Sequence, residues 1–264
     1  MIIHKGMLSS LEKANKIENY YGFENGIDGK ELYKKGIKQA TLQGIELKDE
    51  EVINIQIKEN IFIIKTNNHE YTSKAVVFAT GNYRNKPKNI NLEKYEGKGV
   101  SYCAICDGFF FKNKSVAVLG NGEYALSEVN DLINIVKDIT ILTNGEKEPE
   151  FRADNVKIIN KKIKELQGDK KIERVQFIDG TTLETECVFI AQGVASSIDF
   201  ARKLGVITNN ETIVVNNNME TNISGLFACG DCTGGLFQIS KSIYEGTIAG
   251  LQAIKYIKEI DGGK

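Results

Sequence analysis

Cys103 and Cys106 form a C-x-x-C, and Asp107 follows the second cysteine directly. In this spacing the two sulfurs can close a small disulfide, and a helix start or nearby positive field can lower one thiol's pKa. A cycling dithiol needs one thiolate to attack a partner disulfide and the other to resolve the mixed disulfide. It also needs an acid to protonate the leaving thiolate, a role that suits Asp107. A zinc half-site, or two inert buried thiols, would use the same spacing.

A second C-x-x-C, Cys229-Gly230-Asp231-Cys232, keeps a four-cysteine zinc site open. Its setting points elsewhere, because an Asp at the carboxyl end of a parallel strand meets ribose or ribityl hydroxyls. Asp231 is therefore a cofactor-binding candidate. Cys229 and Cys232 are expected to fill small, partly buried positions.

Gly120-Asn121-Gly122-Glu123-Tyr124-Ala125 reads G-x-G-x-x-A after an apolar strand and before a helix. Gly120, Gly122, Glu123 and Ala125 are candidates for holding a dinucleotide pyrophosphate at a helix N-terminus. A turn that only joins strand to helix would use the same glycines. About 20 residues on, such a site wants an acid for the NAD ribose or arginines for a 2′-phosphate. Thr143-Asn144-Gly145-Glu146-Lys147-Glu148 suits NADP poorly and NAD ambiguously. His4 and His69 lie far from the C-x-x-C in sequence and are expected at the surface. Phe109-Phe110-Phe111 is expected in the core.

The elements that must position these residues alternate along the chain. Met1–His4 is a short strand remnant, and Gly29 to Gly44 reads as an amphipathic helix carrying Leu32, Ile37 and Leu42. Ile45 to Thr66 alternates and breaks at Glu59-Asn60, a hairpin signal. Ala75 to Gly81 reads as a strand buried on both faces. Asn82 to Gly99 is polar, contains Pro87, and marks a domain crossing. Ser115–Leu119, a helix over Glu123–Val136, and Ile139–Leu142 complete a β-α-β unit. Val156–Ile159, Ile172–Ile178, Cys187–Ala191, Ile213–Val215 and Leu226–Asp231 read as further strands. Gln238 to Ile260 closes the chain as a helix. This predicts an α/β protein with parallel sheets. The echo between Phe78-Ala79-Thr80-Gly81 and Phe189-Ile190-Ala191-Gln192-Gly193 is what two similar nucleotide domains would produce.

The 264 residues can build a sizeable core, and 41% hydrophobic with 26% charged content suits a globular protein. A net charge of −1 without a basic run disfavours nucleic acid as a partner. No apolar run approaches the roughly 18 residues of a membrane span, and no signal peptide is visible. Five cysteines are too few for a disulfide scaffold, and the odd count argues against full pairing. The compartment is read as reducing and cytoplasmic.

Taken together, these residues resemble the low-molecular-weight thioredoxin reductases. The matches are C-A-x-C-D-G-F at Cys103–Phe109, the glycine turn at Gly120–Ala125, A-T-G at Ala79–Gly81 and G-L-F-A-x-G-D at Gly225–Asp231. Gln238 at the start of the final helix, Asn19-Tyr20-Tyr21-Gly22-Phe23 and Ile27-Asp28-Gly29 extend the likeness from about residue 6 to residue 250. The resemblance implies two Rossmann-like, three-layer nucleotide-binding domains, the second inserted in the first. An FAD-binding domain over residues 1–85 and 194–264 would be interrupted by a pyridine-nucleotide-type domain over 86–193 carrying the dithiol. It implies flavin-dependent reduction of thioredoxin or a similar protein, and a homodimer formed through the FAD domain. Cys106 would face the flavin, Cys103 would attack the partner, and Asp107 would donate the proton. Gly230, Asp231 and Gln238, with Asn19, Thr80 and Gly81, would hold FAD.

Two departures qualify the match. The family's basic H-R-R motif for a 2′-phosphate is absent from Thr143–Arg152. That puts NAD(P)H in doubt and brings the chain nearer to clostridial-type flavin thioredoxin reductases that take electrons from ferredoxin. The family also opens with a strand and G-x-G-x-x-G turn, and Met1 here falls on its second strand, with His4 where an acid meets the FAD ribose. Roughly 30 residues, one strand-turn-helix unit, are then missing from the first domain. The expectation is an N-terminally truncated reading, or weak FAD binding. A ferredoxin- or flavoprotein-fed reductase and a non-catalytic nucleotide- or zinc-binding module are the alternative functions.

Overall fold

The computed structural model describes residues 1–5, 9–81, 90–193, 196–209 and 212–262. Contacts divide the chain into two compact units, Met1–Tyr83 with Ser196–Lys264, and Arg84–Ala195. The crossing expected near Pro87 lies outside the described residues.

The first unit opens with β1 (Ile2–His4), α1 (Gly29–Leu42) and β2 (Leu47–Asp49), with β1 parallel to β2. Asp28 starts α1, its carboxylate accepting the N–H groups of Lys30 and Glu31. Then follow β3 (Val52–Lys58), β4 (Ile61–Thr66) and β5 (Glu70–Ser73), an antiparallel sheet in that order. The turn between β3 and β4 is Glu59-Asn60, with φ of 52° and 63°, the paired left-handed conformation that a tight hairpin requires. Strand β6 (Val76–Phe78) leads into Thr80 and Gly81. It is not buried on both faces as the apolar run suggested. Phe78 is buried while Val77 is 37% exposed. Among the described residues β6 pairs only with the late strand Leu226–Ala228.

The second unit holds β7 (Val100–Ser101), α2 (Ala104–Asp107), β8 (Ser115–Leu119), α3 (Glu123–Leu132), β9 (Asp138–Leu142) and β10 (Val156–Ile159). It continues with β11 (Ile163–Gln167), β12 (Arg174–Phe177), β13 (Thr182–Glu184) and β14 (Val188–Ile190). The parallel sheet has the order β10-β9-β8-β14-β7. Its strands are near-continuous apolar runs because both faces are covered. Ala117, Leu119, Val188 and Ile190 face Ile163, Leu166, Val175 and Phe177 of the antiparallel β11-β12-β13 sheet. Val116, Val118, Ile139 and Phe189 face Tyr124, Ala125, Val129 and Leu132 of α3. That makes three layers: sheet, sheet and helix. The helix ends at Leu132, short of the expected Val136, as the chain turns to enter β9. Strands β11 and β13 were not legible in the sequence, being short and polar on alternate positions.

The chain returns to the first unit with α4 (Ser197–Lys203), β15 (Thr208–Asn209), β16 (Thr212–Ile213), β17 (Leu226–Ala228) and α5 (Ile239–Ile260). Helix α4 was not anticipated, although Ser196 and Asp199 form a capping box. Phe227 and Cys229 pack with Ala249 of α5. The two echoing strands behave alike: β6 and β14 each run into a positive-φ glycine three residues on, Gly81 at 72° and Gly193 at 82°.

Candidate functional site

Edge strand β7 delivers the dithiol. Its parallel register with β14, and that of β14 with β8, aligns Ser101 with Phe189 and Val118. Counting two residues on, Cys103 and Gly120 stand at the same carboxyl edge of the sheet, about 10 Å apart across two strand spacings. That edge is where open parallel sheets place their ligands.

Cys103 and Cys106 are joined by a disulfide, with their Cα atoms 5.3 Å apart. Cys103 is the N-cap of α2, and its Sγ accepts the Cys106 N–H at 3.2 Å. The two residues differ in access: Cys103 is 2% exposed and Cys106 is exposed. Sulfurs bonded to each other are not the thiolates that a zinc site needs. Asp107 ends α2, and its Oδ2 accepts the Ser101 hydroxyl at 2.7 Å. The same Ser101 oxygen accepts the Cys103 N–H at 3.2 Å. One buried serine thus fixes both the acid and the first cysteine's backbone. Burial pushes the Cys187 thiol well up, with the Asp107 charge adding to it.

Phe109 and Phe110 correct the expectation of a buried aromatic run, being 69% and 75% exposed. The segment Gly108–Phe111 is a 3₁₀ turn, in which positions three apart share a face. Gly108 and Phe111 therefore point inward, Phe111 edge-on to Phe189 at 6.1 Å. Phe109, Phe110 and the exposed Ile105 form an apolar rim on the segment that carries the dithiol.

Gly120 permits close packing: a Cβ there would lie 2.2 Å from the Ala191 carbonyl oxygen and 2.9 Å from the Ala125 Cβ. Gly122 caps α3, whose first turn carries the exposed acid Glu123. Asn121 donates its side-chain amide to the Lys147 carbonyl at 3.0 Å, which ties the loop bearing Glu146 and Glu148 to the glycine turn.

The cofactor candidates of the first unit gather at two places. Asn19 donates to the Gln238 Oε1 at 3.1 Å, joining positions 219 residues apart. Asn19 also lines an open cleft of about 830 Å³ formed by the Glu18–Gly26 segment, where Tyr20 and Phe23 stack at 5.6 Å. At the end of β17, Gly230 has a φ of 78° and opens a 3₁₀ turn, Gly230–Thr233, that presents Asp231. The Asp231 carboxylate has no partner among the described residues. The turn is clamped from α5: Glu245 accepts the Gly230 N–H at 2.8 Å and the Thr233 hydroxyl at 2.9 Å, and Lys241 donates to the Gly230 carbonyl at 2.9 Å. Thr80 is exposed beside Gly81. Cys229 and Cys232 are fully buried rather than partly so, and burial pushes the Cys229 thiol up to about 12 and raises that of Cys232. Neither histidine joins these sites: half-buried His4 meets the Tyr33 hydroxyl at 3.1 Å, and His69 meets buried Glu50 at 2.8 Å.

The family model for pyridine nucleotide-disulphide oxidoreductases matches residues 1–246. The chain belongs to that family. Within it, the thioredoxin reductase of Borreliella burgdorferi is 32% identical over 94% of this chain and 81% of its own length. That of Bacillus subtilis is 31% identical over 98% of this chain and 87% of its own. An atypical thioredoxin reductase from Desulfovibrio vulgaris Hildenborough superposes with a TM-score of 0.87 at 36% identity, over 97% of this chain and 90% of that one. A ferredoxin-flavin thioredoxin reductase from Clostridium acetobutylicum superposes with a TM-score of 0.68 at 32% identity, over 98% and 89%. These likenesses place this oxidoreductase among the thioredoxin reductases, as the motifs around Cys103 and Asp231 implied.

Sequence reasoning missed two residues at the dithiol, Ser101 and Glu128. Glu128 had a visible signal: it stands four residues after Tyr124 and four before Leu132, on the buried stripe of α3. Ser101 had none, because its partner atoms come together only when α2 folds.

Proposed function

We propose that the chain catalyses flavin-dependent reduction of a protein disulfide, that of thioredoxin or a thioredoxin-like protein, through Cys103 and Cys106. The disulfide with Asp107 on the same helical turn carries this reading. The residues of the first unit fit a ribityl- and ribose-bearing cofactor: Asp231, without a partner among the described residues, at a parallel strand's carboxyl end, and the Asn19 and Gln238 amides beside an open cleft. We assign FAD binding to residues 1–85 and 194–264, with Gly230, Asp231, Gln238, Asn19, Thr80 and Gly81 as its ligands. Residues 86–193 are assigned as the pyridine-nucleotide-type domain bearing the dithiol.

When bound, the flavin would supply two electrons, which with two protons would open the disulfide to two thiols. One sulfur then attacks the partner disulfide, and the partner's leaving thiolate takes a proton that Asp107 is positioned to give. The second sulfur displaces the partner, now a dithiol, and the Cys103–Cys106 bond reforms. Attack is assigned to Cys103 and exchange with the flavin to Cys106. Because Cys103 is 2% exposed in the disulfide form, that assignment requires it to be uncovered on reduction. The exposed rim of Ile105, Phe109 and Phe110 fits an apolar patch on a protein partner.

A second reading concerns the donor. Glu123 places negative charge where a pyrophosphate would bind, and Asn121 ties the loop bearing Glu146 and Glu148 to the same turn. This favours ferredoxin or another flavoprotein over NAD(P)H. The unpaired thiols Cys187, Cys229 and Cys232 support a reducing, cytoplasmic setting, and a homodimer through the FAD domain is the assigned assembly.

The test is a reconstitution with FAD, followed by titration with NADPH, NADH and reduced ferredoxin and by an assay of thioredoxin reduction. Bleaching of the flavin identifies the donor. Cys106→Ser is expected to retain FAD, lose turnover, and trap a mixed disulfide between Cys103 and thioredoxin. Turnover surviving in that variant would overturn the dithiol mechanism.

A further inference from the structure

Helix α3 buries Tyr124, Ala125, Val129 and Leu132 against the parallel sheet, and a carboxylate stands in the middle of that stripe. Glu128 is 1% exposed, and its Oε2 accepts the backbone N–H of Ala104 at 2.7 Å. Ala104 is fully buried, follows Cys103 and is the first residue of α2. Ser101 takes the amide of Cys103 just before it. Two consecutive amides at the base of the dithiol loop are thus held by side chains from other elements.

We propose that Glu128 is a positioning residue for the dithiol, holding the Ala104 amide so that the loop keeps its two sulfurs at bonding separation. This rests on the dithiol reading given above and deepens it. A disulfide forms only where the two Cα atoms stand within a narrow range, and a loop fixed in that range raises the effective concentration of one sulfur beside the other. That constraint favours the disulfide over the dithiol. A glutamate that merely filled its place on α3 would leave that balance unmoved.

The experiment equilibrates the full chain at neutral pH with mixtures of reduced and oxidised dithiothreitol. Alkylation and mass spectrometry of the Cys103–Cys106 peptide then read the result. Two electrons and two protons pass from dithiothreitol, which closes to its cyclic disulfide as Cys103–Cys106 opens to two thiols. Glu128→Gln keeps the size of the side chain and an acceptor for the amide, and Glu128→Ala removes both. Glu128→Ala is expected to shift the equilibrium about threefold or more toward the dithiol, and Glu128→Gln to stay close to the unaltered protein. An Ala variant within the error of the unaltered protein, or a Gln variant that shifts as far as Ala, overturns the proposal. The measurement needs neither flavin nor thioredoxin. A dithiol that responds to Glu128 in a chain unable to reduce thioredoxin would sink the function proposed above and leave this inference standing. A working reductase whose dithiol balance is indifferent to Glu128→Ala would do the reverse.

Discussion

At the scale of single residues, the site separates reactive from silent sulfur by environment. Cys103 and Cys106 are bonded to each other beside an acid, while Cys187, Cys229 and Cys232 are buried thiols whose ionisation burial opposes. Iodoacetamide at pH 8 should therefore label Cys106 in the reduced native protein, and Cys103 once reduction uncovers it, but not Cys187, Cys229 or Cys232, and mass spectrometry of the digest checks this. Cys229 carries a pH consequence. Its thiol ionises near 9 in the unfolded chain and at about 12 in the fold. Raising the pH ionises the unfolded state first, so the stability this group contributes is full below pH 9 and is lost as pH rises toward 12. Cys229→Ala should flatten the alkaline limb of a urea-stability profile. For Asp107, replacement by Asn removes the proton donor and keeps the shape. Turnover of thioredoxin should fall by roughly 10²-fold or more with little change in melting temperature.

At the scale of elements, close backbone packing and short helical turns decide what the site can present. Gly120 lets β8 pass the backbone of Ala191, and Gly120→Ala sets a Cβ 2.2 Å from a carbonyl oxygen. Destabilisation of about 1–3 kcal/mol or more is expected, read from a urea midpoint. The 3₁₀ turn Gly108–Phe111 turns Phe109 and Phe110 outward. Replacing both by Ser should raise the KM for thioredoxin several-fold while the melting temperature holds, since no core contact is lost. A fallen melting temperature with an unchanged KM would deny them a role in docking. Helix α1 depends on its cap, and Asp28→Ala should cost about 1 kcal/mol of stability.

At the scale of the whole molecule, two units divide the labour. The second builds three layers whose parallel sheet brings the dithiol and the glycine turn to one edge. The first gathers Asn19 with Gln238 and presents Asp231 on a clamped turn. No helix among the described residues is long and apolar enough to cross a membrane. If the acidic glycine turn excludes pyridine nucleotides, NADPH and NADH should bleach the bound flavin far more slowly than reduced ferredoxin does, in anaerobic stopped-flow traces. Analytical ultracentrifugation of the FAD-loaded protein checks the assigned homodimer.

Much of this was legible in the sequence. The C-x-x-C with its acid, the glycine turn between strand and helix, and the Gly-Asp strand end are local signals, because each uses neighbouring residues to do one thing. Apolar runs ending in glycine marked the parallel strands for the same reason. Periodicity alone misjudged Val77 and Phe109-Phe110, since whether an apolar residue is covered depends on which layer folds over it. The pairing of Asn19 with Gln238, the hold of Ser101 on Asp107, and the reach of Glu128 to Ala104 were decided only by the tertiary structure. Each joins atoms of separate elements, and no spacing along the chain records a distance that register, helix rotation and close packing set together.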